Sequence, residues 1–392
     1  MPSDALSAWK DRLQLGLGAL EARSQRRSMA EIRGVNFCSN DYLGLAENLS
    51  LRVEIAEAVR NAGRIGGTGS RLLSGQTEEW RELEDDFAKF AGTESGLFFT
   101  TGYAANLGLL SSLLGKGDVV FSDERNHASL IDGMRLSGAS KVVYPHLNLN
   151  ALADALRETA DVRSRKVIVT ESVFSMDGDI APLAELSALA EKYNAALILD
   201  EAHATGVHGP AGRGLAVAAG IASKVLAVVH TCGKALASAG AFVCGPEVLK
   251  EHLVNHARTF IYSTALPPYV AAQIRGALRL AGEMDEDRAA LLHRAATLRA
   301  ALQSEGFDTA GTASQIVPVV LGSNDATLDA AEHLQREGFA VRGIRPPTVP
   351  EGGSRLRLSL TTRISQEELS KLVQSLVSWR SRQTSVAQAR HA

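Results

Sequence analysis

Cysteine is scarce in this chain of 392 residues: only Cys38, Cys232 and Cys244 occur, and no two of them form a CxxC pair. That argues against a disulfide framework or a cysteine zinc site and favours a reducing, cytoplasmic setting. An excess of one charge is also missing. The 41 basic and 44 acidic residues leave a formal net charge of −3, without the basic footprint of proteins that bind nucleic acid or anionic membranes. No nucleic acid and no membrane are therefore expected as partners, and the ligand should be small. The first 30 residues hold no signal-peptide core, and no window reaches the apolar length of a membrane span. Nor is there a Rossmann GxGxxG, a GxxxxGK[ST] phosphate loop, an HExxH or a GxSxG elbow. Helicase, zinc-peptidase and serine-hydrolase readings fall with them. No metal site and no internal repeat are evident.

What the chain does have is 45% hydrophobic residues, enough for a sizeable core, and a length that suits two or three units of about 150 residues each. Residues 5–20 set Leu6, Trp9, Leu13, Leu17 and Leu20 at helical spacing. Such a helix needs a surface to lie on, either the body of the protein or a partner subunit. A short strand is predicted at Val35-Asn36-Phe37-Cys38, running into the turn formers Ser39-Asn40-Asp41-Tyr42-Leu43-Gly44. Five glycines between Gly63 and Gly75 predict a mobile or closely packed loop. Beyond it, apolar runs at 118–121, 166–169, 195–199, 225–229 and 240–243 alternate mostly with helical segments. That alternation predicts an α/β architecture, a largely parallel sheet covered by helices. After about residue 250 come long helical stretches and then shorter runs at 316–321, 339–342 and 355–360, which read as a separate α+β unit. The expected division is a helix and arm over 1–40, a large domain over 41–250, a small C-terminal domain over 251–380 and a polar tail. From Arg380 to Ala392 that tail lacks periodicity and is expected to be disordered.

In parallel sheets ligands gather at the carboxyl ends of the strands. Polar groups suited to a cofactor follow several of the runs: His127, Ser175, Asp200 with His203, and Thr231 with Lys234. A lone loop lysine is most often solvated. Lys234, however, follows an apolar run among small residues, where desolvation would lower its pKa and leave more of it able to form a Schiff base. Thr101-Gly102-Tyr103 opens a helix, and free N–H groups there suit an anion, although ordinary capping by Thr101 explains the local pattern as well. Arg345 stands beside Pro346-Pro347, in a stiffened loop that could aim it at a carboxylate. A lysine, a strand-end acid, a nearby histidine, a ring donor and an anion-binding helix start together match the needs of pyridoxal phosphate. Its aldehyde takes the lysine, its phosphate takes the N–H donors, and its ring nitrogen takes the carboxylate.

Over nearly its whole length the chain resembles the α-oxoamine synthases, a family of fold-type I pyridoxal phosphate enzymes. The resemblance rests on Asn36–Gly44, Thr101-Gly102-Tyr103-Ala104-Ala105-Asn106, Asn126–Gly133, Ser172–Asp179, Asp200–Gly206, the Lys234 segment and Arg355-Leu356-Arg357-Leu358-Ser359. It implies a mostly parallel seven-stranded sheet, pyridoxal 5′-phosphate as cofactor and a homodimer with shared active sites. Ile344-Arg345-Pro346-Pro347-Thr348-Val349-Pro350 is similar to the loop of members that join L-alanine to a pimeloyl thioester, carried on CoA or an acyl carrier protein, with loss of CO₂. The resemblance further implies that Lys234 holds the cofactor and moves the α-proton, Asp200 pairs with the ring nitrogen and His127 stacks on the ring. His203 and Ser175 would contact the 3-oxygen. Gly102, Tyr103 and Thr231 would bind phosphate, with Thr264 reaching it from the other subunit. Substrate would meet Asn40, His127, Arg345, Thr348 and an N-terminal arginine, for which Arg23 is the best match and Arg26 and Arg27 compete. Gln76 stands where members often carry histidine, and Cys232 and Ala237 also depart from the usual pattern. Sister activities that use glycine or serine stay open, as does a catalytically silent subunit.

Overall fold

Seven strands form the central sheet, and all but the edge strand β4 run through buried interior. The computed structural model describes residues 5–29, 31, 33–159 and 164–391, with side chains as far as Gln383. After a two-residue strand β1 (Val35–Asn36), the sheet takes in β2 (Ser95–Phe99), β3 (Val119–Asp123), β4 (Ser140–Tyr144), β5 (Lys166–Glu171), β6 (Ala195–Asp200), β7 (Ala227–Thr231) and β8 (Ala241–Gly245). Their order is β2-β8-β7-β6-β5-β3-β4, and only β8 runs against its neighbours. Helices cover both faces, so neighbouring residues of one strand enter different cores. Val229 packs with Leu97, Leu109 and Ile198 on one face, while Val228 packs with Phe121, Leu197 and Leu199 on the other. This two-sided burial is why the strands read as unbroken apolar runs rather than alternating ones.

The C-terminal part builds an antiparallel sheet of β9 (Ile316–Gly322), β12 (Ser354–Ser359) and β11 (Gly343–Ile344), with β12 in the middle. A further short strand, β10 (Phe339–Ala340), pairs in parallel with β1, Val35 opposite Phe339. Through that pairing the arm joins the C-terminal part, and Phe37, Tyr42, Leu43 and Leu45 share one core with Leu356, Leu358 and Leu376.

Two expectations need correction. The run at 339–342 splits, because the chain leaves β1 as partner and takes up β12 two residues later. Ile344, at the head of the segment that carries Arg345, therefore lies in a strand. The last helix continues from Gln366 to His391, where disorder was expected after Arg380. A helix already docked needs no new nucleus, and this stretch has neither glycine nor proline to stop it. The glycine-rich loop is closely packed: a Cβ on Gly67 would lie 2.2 Å from the Ala265 carbonyl oxygen. The amphipathic helix forms at Ala5–Glu21 but buries none of its residues within the chain.

Candidate active site

The carboxyl ends of β2, β3, β5, β6 and β7 lie along one edge of the sheet, and the segments leaving them surround a cavity of about 330 Å³. Gly102, Asn106, His127, Asp200, His203 and Lys234 all line it. After β2 the helix Gly102–Leu113 begins, and the Thr101 hydroxyl accepts the Ala104 N–H at 3.0 Å. The N–H groups of Gly102 and Tyr103 have no partner among the described residues. A Cβ on Gly102 would sit 2.7 Å from Thr231 Cγ2, so glycine alone lets the helix start approach the end of β7 this closely. Thr231 is buried there and donates to the Ala202 carbonyl at 3.3 Å. Both ordinary capping and an anion cradle are thus built into one helix start.

Asp200 ends β6 facing the cavity, while Glu201 points through the sheet to accept the Ala216 N–H. One Asp200 oxygen accepts from Asn106 Nδ2 at 2.7 Å and the other from the Ala202 N–H at 2.8 Å. His203 is buried, with Nδ1 2.6 Å from the Tyr42 hydroxyl. Burial, helped by the nearby Lys234 and Arg357 charges, holds it neutral, well below the usual histidine pKa. His127 caps its helix and is anchored through Nδ1, 2.7 Å from the Ser129 hydroxyl, which leaves the rest of the ring in the cavity. Its pKa is also lowered: desolvation outweighs the opposing attraction of Asp200, and the Lys234 charge adds to the lowering. Lys234 itself is lowered to about 8, because burial outweighs the attraction of Asp200 and Glu171.

An adjoining cleft of about 870 Å³ shares Lys234, His127 and His203, and Asn40, Ser175, Thr348, Arg27, Arg355 and Arg357 line it. Two of the residues expected to meet substrate lie away from this cleft. Arg345 does not line the cleft; its guanidinium donates to the backbone carbonyls of Ser24 and Arg26 and so straps down the N-terminal arm. Arg23 lies on the exposed arm and donates to the Ala19 carbonyl at 3.1 Å. Of the three competing arginines Arg27 is the one at the cleft, donating to the Thr348 hydroxyl at 3.0 Å. Thr264 lines neither cavity within the chain; it pairs with Ser70 in an isolated bridge.

Residues missed from sequence are Arg357, Glu171 and Asn106. Arg357 donates to the Ser175 carbonyl, to Asn40 Oδ1 at 3.1 Å and to the Ser359 hydroxyl at 2.6 Å. Arg355 and Arg357 alternate with Leu356 and Leu358 in a fully buried strand, and that alternation was a usable signal. Glu171 is buried beside Asp200, and desolvation with that neighbouring charge raises its pKa well above the carboxylate range. One of its oxygens and Asn106 Oδ1 have no hydrogen-bond partner among the described residues.

A lysine of lowered pKa, an acid held by two donors, two neutral histidines and a helix start with free N–H groups define a site for carbonyl chemistry on a bound anionic cofactor. Residues 32–376 match the family described as aminotransferase class I and II, and the chain belongs to that family. Within it, the 8-amino-7-oxononanoate synthase of Geobacter sulfurreducens is 46% identical over 353 residues, covering 89% of this chain and 90% of the relative. Two solved structures are similar. The serine palmitoyltransferase of S. paucimobilis, solved with PLP and myriocin bound, is 29% identical at a TM-score of 0.87, covering 96% of this chain and 98% of that one. The 8-amino-7-oxononanoate synthase of Francisella tularensis is 28% identical at a TM-score of 0.76, covering 90% and 99%.

Proposed function

We propose that this chain condenses L-alanine with a pimeloyl thioester, releasing CO₂ and the thiol carrier and giving 8-amino-7-oxononanoate, a step of biotin biosynthesis. The observation that carries the reading is the convergence of Lys234, Asp200, His203 and His127 with the Gly102 helix start, in a chain 46% identical to an 8-amino-7-oxononanoate synthase. The residues fit pyridoxal 5′-phosphate: the free N–H groups suit its phosphate and the unpaired Asn106 and Glu171 oxygens suit a polar ring edge. When bound, the cofactor supplies an aldehyde that takes an amine and a ring that accepts electrons.

The chain's own residues divide the remaining work. Lys234 would tether the cofactor and would take and return the α-proton of the amino acid at Nζ; its pKa of about 8 suits that exchange near neutrality. Asp200, held by Asn106 and the Ala202 N–H, would pair with the ring nitrogen, and His127 would face the ring. Ser175 and His203 would serve the 3-oxygen, and Gly102, Tyr103 and Thr231 would serve the phosphate. Arg357 with Asn40 takes the amino-acid carboxylate, since Arg345 is committed to the arm. Arg27 and Thr348 border the acyl cleft.

The homodimer and the reach of Thr264 into the partner's site belong to the same proposal. Ser70, to which Thr264 pairs, lies next to exposed Leu72 and Leu73, and Tyr262 is exposed beside Thr264. Such apolar residues favour a subunit contact. Three free thiols suit a cytoplasmic location. The test is incubation of the holoenzyme with L-alanine, glycine or L-serine and a series of acyl-CoAs, with CO₂ and the amino ketone measured. Alanine with pimeloyl-CoA is expected to lead, and a preference for glycine with acetyl-CoA would refute the reading.

A further inference from the structure

We infer that Arg125 receives the distal carboxylate of the acyl substrate and so selects a dicarboxylic acyl group; the inference rests on the alanine and pimeloyl reading above. Arg125 stands in the loop after β3, two residues before His127. Its N–H donates to Asp123 Oδ1 at 2.9 Å, and the next residue, buried Asn126, donates to the Ser122 hydroxyl at 3.0 Å and the Val169 carbonyl at 2.8 Å. The backbone that carries the guanidinium is therefore pinned on both sides.

Charge at this place does not balance. Asp177 is a buried carboxylate with one oxygen for each of two guanidiniums: Oδ2 accepts from Arg125 Nη1 at 2.7 Å, and Oδ1 accepts from buried Arg355 Nη1. Two positive charges share one negative charge. Glu124 also lines the cleft, but it is exposed and bonds to neither arginine. Of the five side-chain donors on Arg125 only Nη1 has a partner among the described residues, and the side chain is 43% exposed. Its remaining donors are available to a ligand.

The same cleft holds Lys234, and its other walls include Ile131, Phe174, Met176, Ile344, Pro347 and Val349. Apolar walls with a surplus guanidinium complement a methylene chain that ends in a carboxylate, which an arginine can grip with two hydrogen bonds. A chain that ends in methyl would bring apolar surface to those donors and leave them unpaired. That unpaired cost is what gives a polar pocket its discrimination. The rival occupant of such charge is the phosphate of CoA, which every acyl-CoA carries equally.

The test compares pimeloyl-CoA with octanoyl-CoA on the holoenzyme. The ratio of their kcat/KM values is expected to fall more than fivefold in Arg125→Leu, with the loss in KM for pimeloyl-CoA, and to recover in part in Arg125→Lys. Calorimetric binding of the two acyl-CoAs without amino acid is expected to give the same ratio change. A ratio that stays within fivefold of wild type overturns the inference, whether both substrates weaken equally, as for a phosphate contact, or neither does. Wild type that ignores both acyl-CoAs yet condenses glycine or serine with another would instead remove the alanine and pimeloyl reading, and this inference with it.

Discussion

Lys234 shows how a single side chain depends on its surroundings. Burial pushes its pKa down while Asp200 and Glu171 pull it up, and the balance falls at about 8 against an ordinary 10.5. Only the neutral amine attacks an aldehyde, so the rate at which the apoprotein captures pyridoxal phosphate should rise with pH and level off above about 8. Stopped-flow absorbance would record it, and an inflection near 10.5 would contradict the buried setting. Lys234→Ala should give no borohydride-fixable adduct at all. Lys234, Asp200, His203 and His127 were legible because each follows a strand end in chain order. Arg345 and Arg23 were not, since a guanidinium on a long flexible stem can serve the cleft or a neighbouring carbonyl, and sequence does not say which.

Elements place the groups that single residues cannot place for themselves. In β12 the period of two sends Leu356 and Leu358 into the core and puts Arg355 and Arg357 on the cleft side. His146, just beyond β4, joins three strand-end loops: Nδ1 meets Asp123 at 2.8 Å, Nε2 meets Asp179, and the ring packs edge-on against Phe174. Burial lowers its pKa, but the two carboxylates together raise it further, to about 9 from 6.5. A raised folded pKa means that the stabilisation is complete below about 6.5 and is lost as pH rises through about 9. His146→Gln should therefore cost roughly 2 kcal/mol at pH 6, allowing for solvent at the ring edge, and much less at pH 10. Thermal melts across that range check it, and a deficit independent of pH would remove the charge argument. The loop that His146 holds carries Ser175 and Asp177, so the cleft wall should loosen with it.

At the scale of the whole molecule the single chain leaves apolar surface uncovered. Leu6, Trp9, Leu13 and Leu17 of the first helix are exposed, as are Ile65, Leu72, Leu73 and Tyr262. No helix among the described residues is long and apolar enough to cross a membrane. A second copy of the chain is the expected cover, and it would bring Thr264 to the partner's phosphate cradle. Sedimentation should find a dimer at micromolar concentration, and mixing Lys234→Ala with a variant crippled at Thr264 should restore activity through hybrid sites. A fully active monomer would sink the shared-site proposal.

Some of this was determined by sequence alone. Unbroken apolar runs separated by helical patterns specify a parallel sheet, because only burial on both faces makes such runs stable, and the strand ends then mark where the ligand lies. Lys234 could be named from that pattern together with its neighbours. Other features were decided by tertiary structure: that Arg345 straps the arm, that Arg27 and Arg357 reach the cleft, and that Arg125 and Arg355 divide one carboxylate. These depend on segments as far apart as residues 27, 125, 177 and 357 meeting at one place. Local patterning carries hydrophobic period and turn chemistry, whereas the pairing of long charged side chains is settled by which partners the fold brings within about 3 Å. Lys234 and Asp200 could be picked out before the structure; Glu171 and the arginines around them could not.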